Sequence, residues 1–295
     1  MRKSYSDYLV GVFPGIKVQK ISVNAGRSCP NRDGTIGRGG CIYCDNRSFT
    51  PAYCMQPDSV KEQIEAGKEF FSRKYPEMKY LAYFQSYTNT YGADITNLER
   101  LYREAMDCEG IVGIVIGTRP DTLPDSVIEL LARLNREKPV FLEIGAESSC
   151  DDTLRLINRG HTWNCTEDAV RRASAAGLRC GLHLIAGLPG EDDEQVIRNV
   201  EKACALPIDT LKLHQLQIIK GTPLHRAWEA GAIDLKPYSL ERYLDLCVRI
   251  SRMVPENIVL ERFLAQAPPG MVVAPKWGLK NYQFMNLLHN ALKDE

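Results

Sequence analysis

Residues 111–146 read IVGIVIGTRPDTLPDSVIELLARLNREKPVFLEIGA, and the alternation inside this stretch decides the fold. The apolar runs 111–117 and 140–146 are strand-like, and 125–137 between them is helix-like. A strand, a helix and a second strand at this spacing make a parallel pair joined by a right-handed crossover. The same unit recurs on both sides. Strand-like runs stand at 16–23, 79–85, 179–186 and 209–218, and helix-like runs at 58–74, 95–108, 166–177 and 192–205. Asp58, Thr166 and Asp192 stand where helix caps belong. Six strands, each followed by a helix, predict a parallel sheet, either open and doubly wound or closed into a barrel or partial barrel. In both, ligands bind at the carboxyl ends of the strands.

The tail differs. A helix over 239–253, a strand-like 257–264, a Pro/Gly-rich loop over 267–278 and a last helix over 280–292 are expected. The chain therefore divides into an N-terminal segment (1–15), a strand–helix core (16–254) holding a Gly-rich loop at 24–49, and a C-terminal extension (255–295) covering the core. At 44% apolar, 25% charged and 8% aromatic content, collagen-like, mucin-like and disordered classes are excluded. No apolar run reaches 18 residues, and MRKSYSDYLVGVFPG lacks a signal-peptide core, so no membrane association and a cytoplasmic location are expected. Thirty-seven basic residues balance thirty-seven acidic ones, and net charge points to no polyanion. Residues 1–48 nevertheless carry eight Lys/Arg against three Asp, an excess of +5 at one end.

Ten cysteines without a secretory start argue against a disulfide framework. Most are scattered as small buried apolar residues are. Cys29, Cys41 and Cys44 are not: the first strand runs straight into a loop with five glycines that ends Cys41-Ile-Tyr-Cys44. A Cys-x2-Cys pair turns two sulfurs toward one metal centre, and Cys29 returns from the far end of the loop as a third. Structural zinc wants a fourth ligand, for which Cys54 or a carboxylate is available. A [4Fe–4S] cluster with three thiolates would keep one iron open.

Three cysteines after the first strand of such a repeat, the last preceded by aromatic Tyr43, resemble the radical S-adenosylmethionine superfamily. Its usual spacing is Cys-x3-Cys-x-aromatic-Cys, whereas the first gap here is eleven residues. Long first gaps occur in the branch containing the catalytic subunit 3 of Elongator. Thr118-Arg119-Pro120-Asp121, Glu143-Ile-Gly-Ala-Glu147-Ser148, Leu156-Ile-Asn-Arg159-Gly160-His161-Thr162, Gly187-Leu-Pro189-Gly190-Glu191 and Ile219-Lys-Gly221-Thr222-Pro223-Leu224 are similar to that branch, over about residues 16–230. With the block Tyr83-Phe-Gln85-Ser86-Tyr87-Thr88-Asn89-Thr90-Tyr91, the whole chain looks like the YhcC/YtqA group of small radical SAM proteins.

The resemblance implies a partial (β/α)6 TIM-like barrel with a small C-terminal extension. It implies a [4Fe–4S] cluster on Cys29, Cys41 and Cys44, whose open iron takes the amino and carboxylate groups of S-adenosylmethionine. It places Tyr43 beside the adenine, Glu147 on the ribose hydroxyls, Arg159 on the methionine carboxylate, and Gly187 and Pro189 close to the adenine, with Leu216 supplying apolar and main-chain contacts. Where most relatives carry a Gly-Gly-Glu-like turn, Ser86 and neighbouring carbonyls would meet the methionine amino group. A one-electron reductant of flavodoxin or ferredoxin type is required. Kinship with Elongator points to wobble-uridine modification of tRNA; the basic N-terminus and the Lys276-Trp277 turn would then meet RNA. The alternatives are a radical enzyme acting on a small metabolite and a non-catalytic iron–sulfur redox protein. His183, His214 and Lys212 sit mid-strand, where one face of a barrel strand meets substrate, and Arg119 and Asp121 are either an ion pair or substrate contacts. No residue is singled out as the substrate-transforming one.

Overall fold

Period-two alternation, interrupted by register shifts at Tyr80/Leu81, Gly145/Glu147 and Leu211/Lys212, sorts the strands into an outward and an inward face. The computed structural model describes residues 3–55, 59–72, 77–92 and 94–293. Six strands follow the expected runs: β1 (Val18–Val23), β2 (Lys79–Phe84), β3 (Ile111–Thr118), β4 (Val140–Glu147), β5 (Arg179–Ala186) and β6 (Thr210–Gln215). In β4, Val140, Leu142, Ile144 and Ala146 enter the core shared with the helices, whereas Glu143 and Gly145 line an internal cavity. The outward layer is dry: Ile114, Ile116 and Leu142 are fully buried, each such side chain contributing about 1.5–3 kcal/mol.

The crossover helices cover that outer face. They are α2 (Val60–Ser72), α3 (Ile95–Met106), α4 (Asp125–Asn135), α6 (Trp163–Ala175) and α7 (Asp193–Cys204), with a short α5 (Asp151–Leu156) after β4. Asp192 caps α7 by accepting from the Gln195 amide, as expected. The Thr166 cap does not hold: α6 begins a turn earlier, after Thr162, and Thr166 is buried within it. Asp58 lies outside the described residues; Ser59 accepts from the Glu62 amide at the start of α2.

Among the described residues the sheet has seven strands, in the order β1-β2-β3-β4-β5-β6 and then Val259–Arg262 (β8), every neighbouring pair parallel, and it curls into a half-barrel. The seventh strand, β8, comes from the tail, where Val259 and Leu260 pair with Thr210 and Leu211. The 209–218 run, in turn, is not one strand. After Gln215 the chain leaves the main sheet, and β7 (Ile218–Ile219) pairs antiparallel with β9 (Val272–Ala274). The helices α8 (Pro223–Glu229), α9 (Leu240–Met253) and α10 (Asn281–Ala291) complete the C-terminal part. Trp277, partly buried, stacks 5.4 Å from Tyr243 against this core.

Residues 3–15 are also structural. A capping box between Ser4 and Asp7 starts α1 (Tyr5–Val12). Its Leu9, with Phe13, packs against Leu81, Tyr83, Val115 and Phe141, closing the amino-terminal end of the barrel. Ligands must therefore enter from the carboxyl edge.

Candidate active site

At that carboxyl edge lies one cavity of about 1410 Å³. Cys29, Cys41 and Cys44 line it, together with Tyr43, Glu147, Arg159 and Leu216. The cysteine loop is held there by its own turns and by neighbouring strand ends. The Arg32 amide donates to the Cys29 carbonyl at 2.8 Å, and the Cys44 amide to the Cys41 carbonyl at 3.0 Å. Asn31 donates its side-chain amide to the Asn158 carbonyl, while Asn158 donates back to the Gly40 carbonyl at 2.8 Å. Gly37 is required beside this clasp, because a Cβ there would stand 2.2 Å from Asn31 Oδ1. The Tyr83–Tyr91 block supplies a second anchor: Tyr87 donates its amide to Asn46, Thr88 donates its amide to Ser28, and Tyr91 meets Thr35 and Asp33.

All three cysteines are free thiols. Burial pushes Cys44 up to about 12, and the nearby Cys41 and then Cys29 add to the rise while Arg32 opposes it. Such mutual repulsion marks sulfurs gathered at one place, and a bound cation would remove it. Arg159 and Asn31 direct N–H groups at Cys41 Sγ, from 3.5 and 3.8 Å. Among the described residues no three Cys, His, Asp or Glu side chains come together tightly enough for a single metal ion. A three-thiolate mouth on a large cavity fits a cluster, whose cysteines bind separate irons, better than one zinc. Cys54 is not a fourth ligand; it is buried under β1 and donates to the Ser22 carbonyl at 2.9 Å.

Glu147 reaches the cavity through a backbone irregularity. The β4–β5 register shifts between Gly145 and Glu147, and Glu147 takes a left-handed φ of 70°. A bulge of this kind re-aims a side chain at a strand end. Arg159 is fixed beside it: it donates to the Gly145 carbonyl at 2.6 Å and to His161 Nε2 at 3.0 Å, and lies 3.3 Å from Glu147. Burial alone would lower the Arg159 guanidinium, but Cys41 and Glu147 outweigh it and raise it well above its usual value. His161 is neutral, held at about 3 by burial and then by Arg159 and Arg119, so its bare nitrogen accepts. Tyr43 is driven upward by burial and then by Glu147 and Cys41, which keeps its phenol neutral.

Three expected contacts do not line the cavity. Ser86 is 2% exposed and shares a hydrogen bond with Thr50 at 3.1 Å; Gln85, Tyr87 and Thr88 face the cavity instead. Gly187 and Pro189 also lie outside it. The absent side chain of Gly187 makes room for the Tyr238 ring, which a Cβ would meet at 2.8 Å. Arg119 and Asp121 form a bidentate internal pair at 2.9 and 2.8 Å, and Arg119 also donates to the Arg159 carbonyl.

Deeper in the cavity is a layer that sequence reasoning only half found. Glu143 of β4 accepts from Lys20 of β1, from Lys212 of β6 at 2.7 Å, from His183 of β5 at 2.9 Å and from the Tyr83 hydroxyl of β2. Glu261 of β8 takes Lys20 at 2.6 Å and Lys212 at 3.3 Å. His183, His214 and Lys212 were expected here, whereas Lys20, Glu143 and Glu261 were not assigned to the cavity. The available signal was a charged residue within each of the otherwise apolar strand runs of β1, β4, β6 and β8.

The radical SAM superfamily model matches residues 23–203 and the Radical_SAM C-terminal domain model residues 208–294. Protein YhcC of Escherichia coli K12 is 39% identical over 264 residues, covering 89% of this chain and 83% of its own. YtqA of Bacillus subtilis is 31% identical over 280 residues, covering 95% and 86%. A tRNA uridine(34) acetyltransferase of Methanocaldococcus jannaschii is 25% identical over 186 residues, covering 62% of this chain and 34% of its own. Among solved structures, Methanocaldococcus infernus Elp3 lacking residues 1–46 superposes with a TM-score of 0.71 at 19% identity, covering 95% of this chain and 63% of that one. A half-barrel with three loop cysteines at its carboxyl edge, matched over most of its length by the family models, makes this chain a member of the radical SAM superfamily, in the group of YhcC and YtqA.

Proposed function

We propose that the protein is a radical SAM enzyme that modifies the wobble uridine of tRNA. The observation that carries the reading is the convergence of Cys29, Cys41 and Cys44 on the same cavity as Tyr43, Glu147 and Arg159. Cys29, Cys41 and Cys44 hold a [4Fe–4S] cluster, and Tyr43, Glu147 and Leu216 hold S-adenosylmethionine. When bound, this pair supplies one-electron cleavage that yields a 5′-deoxyadenosyl radical for hydrogen abstraction. Arg159, already committed to Gly145, Glu147 and Cys41, places positive charge beside a cluster thiolate, and Glu147 offers an acceptor to two hydroxyl donors. The cavity, at about 1410 Å³, exceeds the roughly 300–1,000 Å³ of a single small-molecule site, which leaves room for a nucleoside beside the cofactor.

The RNA part rests on the Elp3-like fold and on the acetyltransferase relative, and on the aromatic and basic cavity rim of Phe49, Tyr87 and Arg32. Among the described residues no helix is long and apolar enough to cross a membrane; a cytoplasmic site with a flavodoxin- or ferredoxin-type reductant suits an oxygen-sensitive cluster. The test is anaerobic reconstitution followed by assay of dithionite-dependent 5′-deoxyadenosine, with and without bulk tRNA. Cleavage stimulated by tRNA, with hydrogen carried from tRNA into the product, is expected. Cleavage indifferent to tRNA would transfer the reading to a small metabolite, and its absence from a four-iron preparation would return it to a redox protein.

A further inference from the structure

One group in the cavity floor is built differently from its neighbours. Lys20, Lys212, Glu143 and Glu261 satisfy one another: two cations share two carboxylates, all buried or nearly so. His183 is attached to this square by one nitrogen only. Its Nε2 stands 2.9 Å from Glu143 Oε2, its side chain is 20% exposed, and it lines the cavity. Burial by itself would raise the Glu143 carboxyl, but Lys20 and Lys212 overcome it and hold it ionised. An ionised carboxylate has no proton to give, so Nε2 is the donor and a neutral His183 keeps its lone pair on Nδ1.

The groups around the ring come from every strand that faces it. They are Glu143 on β4, Lys212 and His214 on β6, Lys20 on β1, Tyr83 on β2, and Glu261 and Arg262 on β8. His214 is neutral, held at about 3 by burial and then by Arg262, and Tyr83 spends its proton on Glu143. Lys20 and Lys212 are occupied as donors. His183 and His214 are both partly exposed and each leaves one ring nitrogen unoccupied, but among the described residues of this layer His183 is the imidazole aimed by a carboxylate, Glu143, that can meet the charge of a proton taken up. In the sheet register His183 pairs with Gly145 of β4 and Lys212 of β6, one position below the Leu184–Glu147 pair, on the floor side of the cavity. A substrate lying between the cofactor tier and the floor meets it.

We propose that His183 is a general base of this enzyme, oriented by Glu143, and that the substrate therefore carries an ionisable N–H or O–H on or next to the carbon that loses its hydrogen. The Nδ1 lone pair takes the proton, and the N–H or O–H bond breaks with its electron pair left on the substrate heteroatom. The positive charge gained by the ring is met by Glu143 across the existing hydrogen bond. No electron is exchanged in this step. Glu143 is a positioning residue: it selects the tautomer and aims the ring, and its own charge is kept by Lys20 and Lys212. The inference rests on the radical SAM reading of the same cavity.

Long-range proton–nitrogen correlation on reconstituted, [15N]histidine-labelled protein tests the premise, with the His183 signal assigned by its loss in His183→Gln. In the neutral ring, a proton on Nε2 and a bare Nδ1 are expected; a neutral ring protonated at Nδ1 would overturn the proposal. Turnover with bulk tRNA as the probe tests the role. His183→Ala is expected to keep forming 5′-deoxyadenosine while the modified nucleoside falls by about 10²–10⁴-fold, with added imidazole restoring part of the loss. Retained modification, or equal loss of both products with no rescue by imidazole, would count against a base. Should the unaltered enzyme cleave the cofactor yet leave tRNA untouched, the tRNA assignment fails and the tautomer decides the fate of His183.

Discussion

Glu143 shows how much one side chain can be asked to hold. It is 3% exposed and accepts from two lysines, a histidine and a tyrosine. Its carboxyl lies well below the ordinary 4.5, burial being outweighed by Lys20 and Lys212. A depressed folded-state value contributes stability above the unfolded value and loses it as pH falls through the folded one. Urea midpoints are therefore expected to hold steady as pH approaches 4.5 from above, as far as this group is concerned, and to drop below it. Glu143→Gln should cost about 3–5 kcal/mol at neutral pH, because two buried ammonium groups lose a partner, and its acid-side slope should be shallower. An unchanged slope would mean that Glu143 is not the group that carries it. Cys29→Ala, Cys41→Ala and Cys44→Ala are expected to fold yet to take up no stable cluster, read as iron per chain and loss of visible absorbance. Polar residues inside apolar strands made His183, His214 and Lys212 legible in the sequence. Lys20 and Glu261 were not, because a charge on an edge strand looks the same whether it faces solvent or a cavity. Ser86 was misplaced for a related reason: in a polar loop, periodicity does not say which hydroxyl turns inward.

Among the elements, the cysteine loop is the least regular and the most heavily fastened. Its clasp of Asn31 on Asn158 and Asn158 on Gly40 ties it to the segment carrying Arg159. Gly37→Ala drives a Cβ into Asn31 and is expected to lower iron retention after reconstitution while shifting the melting temperature little. If iron content survives, the clasp is not what shapes the loop. Gly187→Ala probes the opposite case. It combines a φ of 83° with a clash on Tyr238, so a loss of about 1–3 kcal/mol is expected, with cofactor affinity unaltered. The parallel strands were legible because alternation repeats at each of them. The split of 209–218 left only a faint trace: the consecutive polar residues His214 and Gln215 move the apolar positions from Leu211 and Leu213 to Leu216 and Ile218, where the backbone leaves the sheet. The start of α6, where Thr162 rather than Thr166 precedes the first turn, was not legible.

Taken whole, the molecule is completed by its two ends. The helix α1 closes the lower opening with Leu9 and Phe13, and β8 adds both a seventh strand and Glu261. A chain ending at Val254 loses β8 and leaves Lys20 and Lys212 on Glu143 alone. Such a truncation is expected to show no cooperative unfolding transition, and a sharp melt near that of the full chain would restore 16–254 as a self-sufficient core. The sequence indicated a covering tail here; that the tail enters the sheet is a matter of long-range register, which local pattern does not encode. The two outer strands, β1 and β8, are bridged by Lys20 and Glu261 side chains rather than by a backbone ladder. A closed ring admits only what can be lowered through its mouth. A wall joined at its seam by an ion pair instead of a ladder can spread, so the width of its carboxyl-edge mouth depends on the Lys20–Glu261 contact.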